Sequence, residues 1–285
     1  MKGTAKVTIG AAKNFDLTHV RHDPAHCLAP GLFRSLKRGE RKKSKLDVSY
    51  RYGANEEVRF IGFEPLGVDD LRFLQGVVAL AGPDGIILLP TPKTDMGINL
   101  RLLLDPKLEA AKANAVVVRG KLGRLMTEIG YENSGDKRRQ IVESLRRMSN
   151  VTVIIRNGSI EASSRMLSYA FDESDGKLFV ALNPRIAEAI LGNRSYARID
   201  MREVRALKSD PARLLHQRLC GWIDPGKSGR AELDTLCTYV WPSEASKVTM
   251  RQRRKTIRSA LSELLTVDWK VQEYALGKFD ISRPS

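Results

Sequence analysis

One stretch near the C-terminus carries the clearest helical pattern in the chain. Its apolar residues recur at i, i+3, i+4, i+7 and i+8, the spacing that places them on one face of an α-helix. They are Leu233, Leu236, Cys237, Val240 and Trp241. Pro242 follows, and because proline cannot continue a helix, the pattern predicts that the helix ends there.

A second helix and a hairpin are predicted directly afterwards. Thr249 and Gln252 have the T-x-x-Q spacing of a capping box, which predicts a helix that starts at Thr249. Its inward positions are Met250, Ile257, Leu261 and Leu264. Beyond this helix, apolar residues alternate on either side of Leu276-Gly277, the pattern of a β-hairpin. They are Trp269, Val271, Phe279 and Ile281.

The same order of elements occurs earlier in the chain. Helical spacing relates four apolar residues, Leu122, Leu125, Met126 and Ile129. Ser134 is the predicted N-cap of a following helix, which buries Ile141, Leu145 and Met148. Strands are then predicted at 151–155, near 165–171 and near 178–182, with turns at Asn157-Gly158 and Asp175-Gly176.

The region before this first copy is less regular. Alternation between Val48 and Phe60 predicts a hairpin around Gly53-Ala54-Asn55. Asp69-Asp70 predict a helix start, and Gly82-Pro83-Asp84-Gly85 predict its end. Residues 86–118 are ambiguous: their short apolar runs suit strands, with one helical turn near Lys107–Lys112.

Helix, short turn, helix and hairpin, in that order, is the winged-helix layout. The sequence therefore predicts an α+β fold of two tandem winged-helix domains, at 46–195 and 196–285, behind a basic N-terminal arm at 1–45. In helix-turn-helix proteins the second helix lies in the major groove of DNA. Two copies in one basic chain indicate tandem DNA-binding modules.

Composition supports a polyanionic partner. The chain of 285 residues has 48 Lys and Arg against 33 Asp and Glu, a net charge of +15. A membrane is the weaker interpretation, since no apolar run approaches the roughly 20 residues that span a bilayer. The start lacks a signal-like apolar core, and three scattered cysteines form no disulfide pattern, so we expect a cytoplasmic protein.

The second helix of the C-terminal unit is the main candidate for DNA contact. Six basic residues lie between Lys247 and Arg258 without an intervening acid, whereas a merely solvated helix usually mixes charges. The predicted contacts are Lys247, Thr249, Arg251, Gln252, Arg254, Lys255, Arg258 and, at the hairpin tip, Lys278. Arginine and glutamine suit guanine and adenine edges, while Lys255, Arg254 and Lys278 suit phosphates.

The corresponding helix of the first unit is a weaker candidate. Its basic residues are Lys137, Arg138, Arg139 and Arg146, but Glu143 lies among them. Auxiliary phosphate binding and plain solvation are about equally consistent with this pattern.

Two other motifs suggest different chemistry. Gly221–Ser228 matches the G-x-x-x-x-G-K-[ST] nucleotide-binding pattern, but that loop needs a strand before it and a helix after it. Here Asp210-Pro211 predict a preceding helix, so we expect no ATP site. His19, His22, His26 and Cys27 could hold zinc, yet no CxxC partner exists and we predict no metal and no cofactor.

Several blocks of sequence resemble the RepC replication initiators of IncQ-type broad-host-range plasmids. They are HVRHDPAHCLAPGLF (19–33), LKRGERKKSKLDV (36–48), ARLLHQRLCGWIDPGK (212–227), YVWPSEAS (239–246) and, more loosely, TMRQRRKTIR (249–258). Residues 1–18 and 131–165 depart from the family. The resemblance implies binding to directly repeated origin sequences (iterons), melting of the adjacent DNA, and recruitment of plasmid helicase and primase. It also implies that Gly221–Ser228 connects two helices.

The sequence thus predicts a non-enzymatic plasmid replication initiator that binds double-stranded DNA, with self-association left open. A transcriptional regulator of the same fold, without origin activity, is the alternative. An ATP-dependent enzyme is a third hypothesis that rests on Gly221–Ser228 alone.

Overall fold

The computed structural model describes residues 19–37, 39–172, 174 and 176–285. Helices and strands alternate along the chain, which confirms the predicted α+β class. The helices are α1 (Pro24–Leu28), α2 (Val68–Asp84), α3 (Asp95–Leu104), α4 (Glu109–Lys112), α5 (Leu122–Glu128), α6 (Gly135–Ser149), α7 (Pro184–Leu191), α8 (Met201–Ala206), α9 (Asp210–Trp222), α10 (Leu233–Val240) and α11 (Lys247–Leu264). Short 3-10 turns lie at Glu40–Lys43 and Leu265–Val267.

The described strands form four sheets. The strands are β1 (His19–His22), β2 (Leu46–Tyr52), β3 (Glu56–Gly62), β4 (Ile86–Leu88), β5 (Lys107–Leu108), β6 (Ala115–Lys121), β7 (Thr152–Asn157), β8 (Ile160–Arg165), β9 (Leu167–Asp172), β10 (Lys177–Leu182), β11 (Ala197–Asp200), β12 (Ser228–Glu232), β13 (Lys270–Ala275) and β14 (Lys278–Ser282). Their orders are β2-β3-β7-β8-β5, β4-β6-β10-β9, β12-β14-β13 and β1-β11, and every named pair is antiparallel.

The C-terminal unit is built as helix, strand, two helices and hairpin. Helix α9 leads into β12, the pair α10 and α11 follows, and β13 and β14 form the hairpin, with β14 lying between β13 and β12. Ile257, Leu261 and Leu264 are buried, as their spacing predicts. Helix α10 ends at Val240, before Pro242.

The first unit repeats this order with an added hairpin. Helices α5 and α6 are separated by a short turn, and Ile141, Leu145 and Met148 of α6 are buried. The hairpin β7–β8 joins the five-stranded sheet. Strands β9 and β10 pair in the four-stranded sheet, where β10 lies beside β6. The predicted turn residue Asp175 lies outside the described residues.

Residues 19–36 do not form the predicted arm. Strand β1 pairs with β11, His19 opposite Asp200, and α1 packs against α9. Asp23 is fully buried, where it accepts a hydrogen bond from His26 Nδ1 at 2.8 Å and meets Arg185 Nε at 3.0 Å. The sequence missed this because the partner strand lies about 180 residues further along the chain. Residues 1–18 and Arg38 lie outside the described residues.

The ambiguous region 86–118 contains a helix that the sequence did not predict. Helix α3 is capped by Thr94, whose Oγ1 accepts a hydrogen bond from Gly97 N at 3.2 Å. Its periodicity is blurred because Ile98, Leu102 and Leu103 are exposed apolar residues. Strands β4 and β6, and the turn α4 near the predicted position, complete this region.

One apolar core runs through both units. Helix α2 supplies Leu71 and Leu74, and α9 supplies Leu215 and Leu219 to the same cluster. The N-terminus of α2 is fixed by a buried carboxylate, Asp70, which meets Arg41 at 3.0 Å and Arg147 at 2.8 Å. None of the described helices is both long and apolar enough to cross a bilayer.

Candidate nucleic-acid interface

Helix α11 begins two residues before the predicted start. Ser246 is the N-cap, and its Oγ accepts a hydrogen bond from Thr249 N at 3.3 Å. The predicted capping box of Thr249 and Gln252 is therefore wrong. Serine is a better N-cap residue than threonine, but the T-x-x-Q spacing of Thr249 and Gln252 favoured the later start. Thr249 is partly buried in the first turn, and its hydroxyl lies 3.0 Å from that of Ser246.

The side of α11 opposite its buried residues is exposed and polar, with one exception. We call this the outer face: Val248, Arg251, Gln252, Lys255 and Ser259, all of them exposed. Among the described residues, no carboxylate contacts the side chains of Arg251, Gln252 or Lys255. Lys247, in the first turn, is also exposed. The outer face thus presents cations and an amide group to solvent without an acid to neutralise them.

Two of the predicted DNA-contacting arginines are held by acids of their own unit. Arg254 makes two hydrogen bonds of 2.6 Å to Asp234 on α10. Arg258 bonds Glu273 on β13 at 2.5 and 2.9 Å. The hydrogen bonds from Arg254 lower the pKa of the Asp234 carboxyl, and those from Arg258 lower the pKa of Glu273 to about 2. These ion pairs connect α11 to the neighbouring helix and hairpin. In each pair, the carboxylate compensates the positive charge of the arginine.

The hairpin places its tip in solvent beside α11. Gly277 adopts a positive φ of 71°, which the turn requires, and Leu276 is 94% exposed. Lys278 lies 3.7 Å from Glu232 on the adjacent strand β12 and remains half-exposed. Trp269, which is buried, anchors the base of the hairpin and donates its indole N–H to Glu203 Oε2 at 3.0 Å.

In the first unit, every predicted DNA-contacting residue has a polar or aromatic partner. Lys137 Nζ lies 4.8 Å from the ring centroid of Tyr131, and Arg138 Nε donates to Asn133 at 3.0 Å. Arg139 lies 3.5 Å from Asp136, and Arg146 lies 2.7 Å from Glu143. The basic face of α6 is therefore more neutralised than the outer face of α11.

A basic groove beside α6 was not predicted as a whole. It has a volume of about 790 Å³ and is lined by residues of α6, of the β6–α5 junction and of the β9–β10 turn. Its charged lining residues are Lys121, Arg124, Arg138, Arg139, Glu143 and Arg146. Lys121 and Arg124 were missed because they belong to the preceding strand and helix. The positive charge of Lys121, directly before α5, was the sequence feature that could have indicated the groove.

The basic segment 36–45 is divided between structural and exposed residues. Arg41 bonds Asp70 at 3.0 Å and is a structural cation of the α2 N-terminus. Lys42 and Lys43 are exposed on the same 3-10 turn. Arg41 therefore stabilises the fold, whereas Lys42 and Lys43 present their charges to solvent.

The nucleotide-binding pattern does not lie in the structural context that its chemistry needs. Gly221 and Trp222 end helix α9, and Ser228 begins strand β12. A helix thus precedes the loop and a strand follows it, the reverse of the phosphate-binding arrangement. The segment also differs from the expected connection between two helices, because β12 precedes α10. The helix predicted before the loop is α9; its N-cap is Ser209, whose Oγ accepts a hydrogen bond from Ala212 N at 3.3 Å.

Among the described residues, the potential metal ligands near the N-terminus do not come together as a group of three. His26 is bonded to Asp23, while burial and the adjacent His26 lower the pKa of His22 to about 4. Within the described residues, the group of three ligand atoms that does come together is elsewhere: Glu203, His216 and Cys220, all within 4.8 Å of one another.

In that second group, His216 and Glu203 form a close pair. His216 Nε2 lies 2.5 Å from Glu203 Oε2 and 3.5 Å from Cys220 Sγ. Burial alone would lower the pKa of His216, but Cys220 and Glu203 together raise it to about 10. The group therefore stabilises the protonated imidazole inside the core.

Comparisons with known proteins agree with this architecture. The family model of replication protein C (RepC) matches residues 14–285. Two crystal structures of domains 2 and 3 of RctB are similar in fold, one of them of selenomethionine derivatives. Their TM-scores are 0.53 and 0.52 at 11% identity; they cover 92% of this chain, and 99% and 97% of the RctB chains. At that identity the likeness concerns the fold alone. No curated protein sequence matches the chain.

Proposed function

This chain belongs to the replication protein C (RepC) family, and from that membership we propose that it is a plasmid replication initiator that binds origin iterons in double-stranded DNA. The resemblance to RepC initiators seen in the sequence is confirmed by the family match.

The outer face of α11 carries the proposal. It is an exposed helix face with cations and an amide that no carboxylate of the described residues contacts. Arg251 and Gln252 can each make bidentate contacts to purine edges in a major groove, and Lys247 and Lys255 can bind phosphates. Because α11 is the second helix of its pair, with a hairpin at its end, we propose that the C-terminal unit is a winged helix with α11 as its recognition helix.

The first unit would be a second winged helix with a supporting role. Its α6 corresponds to α11 in the order of elements, and the basic groove lies between α6 and the β9–β10 turn. Because its cations are partly neutralised by Asp136 and Glu143, we propose that this unit binds mainly phosphates. The two units would then straddle one repeat.

Initiation follows from occupancy of several adjacent repeats. Binding that bends DNA has a deformation cost that depends on the sequence, and an AT-rich segment opens most easily. We propose that the chain promotes local melting in this way, recruits the plasmid helicase and primase, and performs no catalysis itself. The inverted context of the Gly221–Ser228 loop supports a role without ATP hydrolysis.

Footprinting on the parent replicon tests the proposal against a transcriptional regulator. We expect protection of several tandem direct repeats in the origin region. Protection of a single inverted repeat over a promoter, with no protection at the origin, would favour the regulator instead.

A further inference from the structure

Val248 is an apolar residue in a place that gives the free protein little benefit. It is the second residue of α11 and is 81% exposed. A β-branched side chain slightly lowers helix propensity, and a side chain this exposed contributes little burial energy. Neither local helix stability nor core packing explains its presence.

Its position on the helix is central to the outer face. Val248 lies nine residues before the buried Ile257, which is two and a half turns at 3.6 residues per turn. It therefore points directly away from the core. Arg251 and Gln252 follow at i+3 and i+4, so both are its neighbours on the helix surface.

The surroundings of Val248 favour nucleic acid over an apolar protein partner. A protein-docking patch would place other apolar side chains beside it, whereas its neighbours along the helix are Lys247, Arg251, Gln252 and Lys255. A single apolar group among cations and one amide is chemically complementary to a DNA major groove. There, the 5-methyl group of thymine is the apolar feature among hydrogen-bonding base edges.

We propose that Val248 contacts the 5-methyl group of one thymine and so fixes a T·A pair in the binding site. This inference rests on the proposed function, since it requires α11 to lie in the major groove. The thymine would lie next to the bases that Arg251 and Gln252 contact, because the three side chains share one surface of the helix.

Deoxyuridine scanning tests the contact, because deoxyuridine pairs like thymine but lacks the methyl group. Each thymine of a selected binding site is replaced singly, and affinity is measured for the wild type and for Val248→Ala. Losing one buried methyl costs about 0.8 kcal/mol, so we expect about fourfold weaker wild-type binding at one position. The difference between the thymine and deoxyuridine sites should be smaller there for Val248→Ala, which lacks the two γ-methyl groups of valine.

Leu276→Ala is the matched control, since Leu276 is also apolar and exposed but lies at the hairpin tip. It should keep the wild-type response to deoxyuridine. Specific wild-type binding with no methyl-dependent position, or an unchanged response in Val248→Ala, would overturn the inference alone. A wild type that prefers no duplex sequence would instead overturn the proposed function.

Discussion

Arg254 and Lys255 are adjacent in the chain but have different surroundings. Arg254 is bound by Asp234 through two hydrogen bonds, whereas Lys255 is exposed on the outer face of α11. Loss of Arg254 would leave the Asp234 carboxylate without a partner near any bound phosphate. The two cations therefore contribute to DNA affinity by different routes.

We expect Arg254→Ala to weaken binding to all duplex sequences similarly, mainly by exposing the charge of Asp234. Asp234→Ala alone should tighten binding, and the double variant should regain affinity close to that of the wild type. Lys255→Ala has no such rescue, since no carboxylate of the described residues contacts Lys255. Titrations on the selected site and on an unrelated duplex measure these effects. A double variant as weak as Arg254→Ala would show that Arg254 binds phosphate directly.

The buried His216 predicts a pH dependence of stability. Its pKa is raised to about 10 in the folded protein, against 6.5 for a free imidazole. A raised folded-state pKa stabilises the protein fully below the unfolded value, and this stabilisation is lost as the pH rises toward the folded value. The free energy of unfolding should therefore fall between pH 6.5 and pH 10.

His216→Gln keeps a hydrogen-bonding side chain but cannot titrate. Its free energy of unfolding should change less than that of the wild type over the same pH range, as measured by denaturant titration at each pH. Equal slopes for the two proteins would mean that His216 is neutral in the core.

At the scale of helices and strands, Ser246 sets the start of α11. Ser246→Ala removes the oxygen that accepts from Thr249 N, and loss of an N-cap typically costs about 1 kcal/mol. Thr249→Ala keeps that bond and should cost less. Urea unfolding of both variants decides the matter: a larger loss in Thr249→Ala would place the helix start where the sequence alone puts it.

Periodicity along the chain was enough to predict the buried faces of α6 and α11. Ile257 and Leu261 of α11, and Ile141 and Leu145 of α6, repeat at helical spacing and are buried. Helix α3 was missed because its exposed leucines obscure the apolar face. Its signal was the Thr94 cap.

The candidate site was predictable only where it depends on residues that are close together in the sequence. The outer face follows from helical spacing alone. The pairing of Arg254 with Asp234 joins residues 20 positions apart, and that of Arg258 with Glu273 joins residues 15 apart, so neither is visible to a local pattern. Strand β1 was not predicted because it pairs with β11, near residue 200, and only the folded chain brings the two strands together.

For the whole molecule, the net charge of +15 and the positions of the exposed cations predict strong salt dependence. If about 6 to 10 phosphates are contacted, log K should fall with log[salt] at a slope of about −5 to −9. Affinities measured across a range of salt concentrations give this slope. A slope near zero on the best target would exclude counterion release as the main source of affinity.

The two units share one core, so they are expected to bind as one body. Leu71 of α2 and Leu215 of α9 belong to the same apolar cluster, and Gln75 and Gln217 face each other inside it. Substitutions in one unit therefore report on that unit's DNA contacts without changing the relative placement of the other.

Base preference, measured for each variant, tests most directly which helix reads the DNA. Arg251→Ala, Gln252→Ala and Arg139→Ala are titrated against a panel of single-base changes in the selected site. We expect Arg251→Ala and Gln252→Ala each to lose about 1 to 3 kcal/mol and to relax the preference at one or two positions. Arg139→Ala, paired with Asp136 in the first unit, should lose less and keep every preference. Unchanged preferences in the α11 variants, together with altered preferences in Arg139→Ala, would contradict the assignment of α11 as the recognition helix.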